Sequence, residues 1–194
     1  MVVSRDAHLS DIPIIRALEH ASAQRFVGLM DALAADEPTP AQVLTARIAD
    51  DGLIVAVEDE TIVGFVMFRP IENRAYIEQV DVLPAFAGRR IGAALLDAVA
   101  ERARGAGLAG LSLSTFREVP WNAPYYRQLG FVEVADGALT PGMLAIRAEH
   151  LARGLDETAR VFMGREAQSG RTPPPSRCVC ASRHLPRLRV RRKR

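Results

Sequence analysis

Lysine is almost missing from this chain. Its single copy is Lys193, one residue from the C-terminus of 194. A phosphate-binding loop ending in Gly-Lys-Ser/Thr is therefore excluded, and no G-x-G-x-x-G follows the first apolar segment to suggest a dinucleotide site. Cysteine is nearly as scarce: Cys178 and Cys180 are the whole supply. Two cysteines one residue apart make no disulfide framework, and with only His184 nearby they fall short of a four-ligand zinc site. The chain before them has no thiol, which excludes thiol catalysis there. No apolar run approaches the roughly 20 residues of a membrane-spanning helix. The stretch 1–13 mixes Arg5, Asp6, His8 and Asp11 with apolar residues, unlike a secretory leader. The expectation is a soluble, cytoplasmic protein with no membrane partner.

What is present is unevenly charged. Residues 168–194 hold nine of the 25 basic residues and none of the 23 acidic ones. The first 167 residues thus carry 16 basic and 23 acidic groups, a net of −7. An acidic body does not suit a nucleic-acid-binding domain, so no specific nucleic-acid partner is expected. The run Pro173-Pro174-Pro175 and the arginines after it show no periodicity. Two units are expected: a domain over 1–167 and a basic, Pro/Arg-rich, disordered tail over 168–194.

Apolar spacing then outlines the domain. Residues 1–3 read as a first strand. Ser10, Asp11 and Pro13 open a helix carrying Ile14, Ile15, Leu18 and Ala21, and Thr39-Pro40 opens a second with Val43, Leu44 and Ile48 on one face. Residues 53–58 and 61–69 form a hairpin, and 74–83 a further strand. A helix is expected over 89–104, a strand over 108–115, a short helix over 120–129 and final strands over 131–134 and 143–147. Residues 159–163 add an edge strand. The order predicts an α/β (α+β) domain with a mixed sheet.

Two segments carry the chemistry. In Glu78–Leu96, EQVDVLPAFAGRRIGAALL, a β-branched strand ends at Pro84 and a glycine-bearing loop runs straight into a helix. Such a turn leaves backbone N–H groups unpaired at a helix N-terminus, which with the helix dipole suits a phosphate. Gly88 lets the backbone approach closely. Gly92 leaves space in the first helical turn, and Arg89 and Arg90 add mobile positive charge. An ordinary strand–helix turn explains the same glycines. In Thr115–Phe131, TFREVPWNAPYYRQLGF, a short helix carries Tyr125 and Tyr126, and Gly130-Phe131 leads into the next strand.

Together, in this order, the two segments resemble the GNAT superfamily of acyl-CoA-dependent N-acyltransferases. The resemblance rests on Val80-Asp81-Val82-Leu83-Pro84, then Ala87-Gly88-Arg89-Arg90-Ile91-Gly92, then Tyr126-Arg127-Gln128-Leu129-Gly130-Phe131, and it covers about residues 2–165. Ala87 stands where the family prefers Arg or Gln, and Arg90 where it usually has the middle glycine. The resemblance implies a mostly antiparallel central sheet flanked by helices, with a splayed parallel pair formed by 76–83 and 108–115. It implies acetyl-CoA as cosubstrate. Val80, Asp81 and Val82 would lie along the pantetheine arm, with the backbone of Val80 and Val82 pairing with it. Ala87, Gly88, Arg89, Arg90, Ile91, Gly92 and Ala93 would form the pyrophosphate loop. Asn122 would cap the short helix or touch the pantetheine.

The resemblance also implies direct attack of an amine on the thioester. Tyr126 matches the residue that gives a proton to the departing thiolate, and an ordinary tyrosine pKa of about 10 keeps it protonated. Glu78 is the candidate base. Strand alternation is expected to put Tyr76, Glu78, Val80 and Val82 on one face, where Glu78 takes the amine proton directly or through water. Trp121 and Phe116 are assigned to the core. Asp31, Asp36, Glu37, Asp50 and Asp51 flank the second helix as a solvated acidic rim. The expected activity is N-acetylation of a primary amine on a small molecule or peptide, and the resemblance makes a homodimer one expected state. The alternative is a non-catalytic acyl-CoA-binding or sensing module.

Overall fold

The computed structural model describes residues 1–167; the Pro/Arg-rich segment read as a tail lies outside the described residues. The elements run β1 (Val3–Asp6), α1 (Ile12–Ala23), α2 (Asp31–Ala34), α3 (Ala41–Ala49), β2 (Leu53–Glu58), β3 (Thr61–Ile71) and β4 (Arg74–Val82). There follow α4 (Ile91–Gly105), β5 (Gly110–Phe116), α5 (Ala123–Gln128), β6 (Val132–Glu133), α6 (Pro141–Ala152) and β7 (Arg160–Glu166). The strands form one sheet in the order β1-β2-β3-β4-β5-β7-β6, antiparallel throughout except for β4 beside β5.

Helices cover both faces. On one, α4 buries Ile91, Leu95, Leu96 and Val99 against Ala75, Ile77, Leu111 and Leu113. Burial at helical spacing is what holds this amphipathic helix, each such leucine contributing about 2 kcal/mol. On the other face, Ile15 and Leu18 of α1 and Leu44 of α3 pack on Leu53, Val55, Phe65 and Met67. Met143 and Ile146 of α6 pack on Tyr76 and Phe162.

The feature that positions the site is the end of the β4–β5 pairing. The parallel register runs only from Arg74 opposite Gly110 to Ile77 opposite Leu113. Past Ile77, β4 pairs with β3 alone, while β5 continues against β7. At that point β4 carries an extra residue: Phe68 of β3 faces Ile77 and Met67 faces Gln79, leaving Glu78 without a partner. A bulge bends and further twists its strand, so β4 leaves β5 where Glu78 is inserted.

Several expectations need correction. Residues 143–147 are helical, not extended. Thr140 accepts the Met143 N–H at 3.3 Å and Pro141 starts α6, whereas Pro40 is itself the N-cap of α3. A short apolar run does not separate strand from helix, and the burial of Met143 and Ile146, three apart, shows the helical period. The strand expected at the edge over 159–163 is β7, set between β5 and β6, so β6 forms the edge. The first strand begins at Val3 rather than Met1.

Candidate active site

The bulge divides the side chains of β4 between two cavities. Val80 and Val82 turn to the α4 side with Ala75 and Ile77. Glu78, Gln79 and Asp81 turn to the α1 side. The expectation that Tyr76, Glu78, Val80 and Val82 share one face fails for this reason: one inserted residue reverses the alternation beyond it.

The cavity on the α4 side has a volume of about 370 Å³ and lies between Val80, Val82, the loop before α4, and Tyr125 and Tyr126 of α5. Its floor is the start of α4. Ala87 N–H closes a tight turn on Pro84 O at 3.1 Å, and Ala94 N–H closes the first helical turn on Arg90 O at 3.0 Å. The amides between them, from Gly88 to Ala93, take no loop carbonyl. Those from Gly88 to Gly92 are the orphan donors of a helix N-terminus, an arrangement that suits an anion, and the Ala93 N–H points to the Tyr125 hydroxyl. Gly88 has φ +76°, and a Cβ there would meet nothing within 4 Å, so the loop is open above it. Arg90 also has a positive φ, 60°, at the N-cap of α4. That explains the usual glycine of the resembling family at this position: the backbone is left-handed, and a side chain adds strain. A Cβ at Gly92 would lie 3.5 Å from the Tyr125 hydroxyl, an ordinary contact, so the space here does not demand glycine.

The two loop arginines differ. Arg89 is clamped by Glu58 of β2 at 2.7 and 2.8 Å and lies over the Phe86 ring. It is not the mobile charge the sequence suggested, and it does not line the cavity. Arg90 does line it.

Tyr126 lies on the same cavity. Its ring meets Phe131 edge-on at 5.5 Å, and no residue described here hydrogen-bonds its hydroxyl. Burial, helped by the nearby charges of Asp81 and the Tyr125 hydroxyl, pushes its pKa well above the ordinary value. The phenol therefore stays protonated at neutral pH, as a proton donor must. Asn122 stands at the N-cap of α5 but makes no cap hydrogen bond. Its Nδ2 donates to Thr115 Oγ at 2.8 Å, tying α5 to the end of β5. Trp121, assigned to the core from sequence, is 37% exposed and lines the same cavity.

The cavity on the α1 side is larger, about 650 Å³. Glu19 and His20 of α1, Asp36 and Glu37 from the α2–α3 link, and Glu78, Gln79 and Asp81 of β4 line it. Of the expected acidic rim, Asp36 and Glu37 reach this cavity. Asp31 instead takes the Gly28 N–H at 2.6 Å. Glu78 is held on both oxygens, by Arg47 at 2.5 and 2.9 Å and by Arg69 Nε at 2.9 Å.

A polar cluster separates the two cavities. Asp81 is buried and faces the larger one, not the α4 side where its neighbours Val80 and Val82 look. It takes hydrogen bonds from Ser22 at 2.5 Å and Gln79 at 2.7 Å and pairs with Arg25. Arg25 lines the smaller cavity. Next to it, Phe26 packs tilted against Trp121, with centroids 5.9 Å apart. Sequence reading missed Arg25, Gln79 and Glu19, whose segments show only a plain amphipathic helix and strand.

The sequence family described as "Acetyltransferase (GNAT) family" matches residues 17–131. Among solved structures, an N-acetylglutamate synthase from Neisseria gonorrhoeae, complexed with coenzyme A and N-acetyl-glutamate, is 19% identical with TM-score 0.67. The match covers 87% of this chain but only 35% of that one. A PaiA N-acetyltransferase from Thermoplasma acidophilum, in complex with coenzyme A, is 16% identical with TM-score 0.64, covering 86% of this chain and 99% of its own. A GNAT family acetyltransferase from Brucella melitensis, in complex with acetyl-CoA, is 25% identical with TM-score 0.53, covering 73% and 92%.

Proposed function

The chain belongs to the acetyltransferase (GNAT) family, and from that premise we propose that it moves an acetyl group from acetyl-CoA to a primary amine. The observation that carries this is the pair of cavities on opposite faces of β4, meeting at Asp81 and Arg25 where β4 parts from β5. A thioester on one side and an amine on the other then meet at one strand. The relatives crystallised with coenzyme A or acetyl-CoA support the cosubstrate. One of them also holds N-acetyl-glutamate, an acylated amine.

In this reading the pyrophosphate rests on the amides from Gly88 to Ala93, with Arg90 adding charge. The pantetheine arm runs along the backbone of Val80 and Val82. The free amine enters from the α1 side and attacks the thioester carbon. The C–N bond forms and the C–S bond breaks. Tyr126 gives its proton to the departing sulfur and regains one as the nitrogen sheds its own. Glu78, held between Arg47 and Arg69, fixes the amine-side wall rather than carrying a proton.

The test is calorimetric titration of the full chain with acetyl-CoA, then a free-thiol assay with spermidine, tyramine and glycinamide. One-to-one binding and amine-dependent thiol release support the proposal. Binding with no release from any amine supports a non-catalytic acyl-CoA-binding module. No binding removes both.

A further inference from the structure

Within the acetyl-transfer reading above, on which this inference rests, we propose that Asp81 is the catalytic base that takes the proton from the acceptor amine. Three observations place it there. Its position on the strand comes first: Asp81 sits between Val80 and Val82, whose side chains line the thioester cavity, and its own side chain lines the amine cavity. It is the carboxylate on the amine side of the strand segment that the thioester would follow.

The second is hydrogen-bonding capacity. Oδ1 takes both the Ser22 hydroxyl and Arg25, whereas Oδ2 takes only the Gln79 amide at 2.7 Å. A carboxylate oxygen accepts about two hydrogen bonds, so Oδ2 keeps one lone pair for an N–H entering the cavity. Glu78 is instead spanned by Arg47, which bonds both its oxygens, and pairs with Arg69.

The third is environment. Asp81 is 9% exposed, and burial raises its proton affinity even against Arg25, Ser22 and Gln79. A carboxylate that holds a proton more readily is a better base for an ammonium.

The step balances. The ammonium gives one proton to Oδ2 of Asp81, and the freed nitrogen lone pair attacks the carbonyl carbon. As the C–S bond breaks, the sulfur takes the Tyr126 proton and Tyr126 is reprotonated by the second nitrogen proton. Asp81 then releases its proton to water in the cavity. The net products are the amide, the coenzyme thiol and one proton.

The groups facing Asp81 are Ser22 of α1, Arg25 in the turn after it, Gln79 of β4 and the charge-sensing Tyr126 of α5. Glu19 and His20 of α1, Asp36 and Glu37 after α2, Glu78 of β4 and Arg153 complete the titratable wall.

The experiment compares Asp81→Asn with wild type, using acetyl-CoA and whichever of spermidine, tyramine or glycinamide the wild type acetylates. Asparagine keeps the shape and still accepts from Ser22. We expect kcat to fall by about 100-fold with acetyl-CoA Kd unchanged, and the residual rate to climb with pH as free amine accumulates. Ser22→Ala supplies the second arm: losing a hydrogen bond to the charged carboxylate should move the acidic limb of the pH–rate profile up by about one unit. Wild-type kcat in Asp81→Asn, or an acidic limb unmoved by Ser22→Ala, overturns the assignment while leaving the acetyltransferase reading intact. A combined loss of kcat and acetyl-CoA binding in Asp81→Asn overturns it as well, by making Asp81 structural. Inactivity of the wild type toward every amine removes the transferase reading itself.

Discussion

The two faces of β4 at its splayed end are built on different principles. On the α4 side the surface is largely backbone, the amides of the loop from Gly88 and the strand edge beside Val80 and Val82, with Arg25, Arg90, Tyr125 and Tyr126 as its polar side chains. On the α1 side it is mostly side chain: Glu19, Asp36, Glu37, Glu78 and Asp81, gathered from three separate segments. A backbone surface tolerates change in side chains, which is why Ala87 and Arg90 stand in the loop without disturbing its amides. A side-chain surface is rewritten by each substitution. In the proposed reading one side suits a common cosubstrate, and the other would set the acceptor.

That division can be broken at several points. The largest effect is expected at Tyr126. Tyr126→Phe keeps the ring against Phe131 but removes the proton, and should lower kcat by about 1,000-fold with acetyl-CoA Kd and amine KM unchanged. Because burial raises the Tyr126 pKa, its ionisation should cause no loss of rate up to its ordinary value near 10. A pH–rate profile checks this. Next is Gly88→Val, which fills the open space over the orphan amides. Losing one or two hydrogen bonds to a charged phosphate costs about 3 kcal/mol, or roughly 100-fold in acetyl-CoA affinity by calorimetry.

A change on the other side should show the reverse pattern. Glu78→Gln removes the carboxylate that pairs Arg47 and Arg69 at the wall of this cavity. It is expected to raise amine KM by about tenfold in steady-state assays, roughly 1.4 kcal/mol, with acetyl-CoA Kd unchanged. A shift in both constants would mean the faces are coupled. The smallest effect is expected at Arg90→Gly, which relieves a left-handed residue at the N-cap of α4. It should stabilise the fold by about 1 kcal/mol and raise Tm by about 3 °C in a thermal melt.

The same division explains what could be read from the chain. The α4-side cavity was legible because its requirements are local: a strand, a glycine loop and a helix start lie within Glu78–Leu96, and Tyr126 precedes Gly130-Phe131 by a fixed spacing. The amine side was not. Glu19, Asp36 and Asp81 come together only after α1 and the α2–α3 link fold over the sheet. The bulge at Glu78 leaves no mark in composition, yet it decides that Asp81 turns to the α1-side cavity and that Val80 and Val82 turn to the α4 side. Among the elements, α6 was misread because Met143–Arg147 is too short an apolar run to show its period, although Thr140-Pro141 stands at its entry as Thr39-Pro40 stands before α3. Trp121 looked like core because a large aromatic is most often buried. Its place at the cavity depends on Phe26, which lies 95 residues earlier in the chain.

The most direct test of a backbone-built cosubstrate side is amide hydrogen exchange of the full chain with and without acetyl-CoA. Strong protection on ligand addition is expected at the amides from Gly88 to Ala93 and along Val80–Val82, with the segment 36–40 on the amine side unchanged. Unaltered exchange over Gly88–Ala93, with protection concentrated over 36–40 and α1, would contradict it.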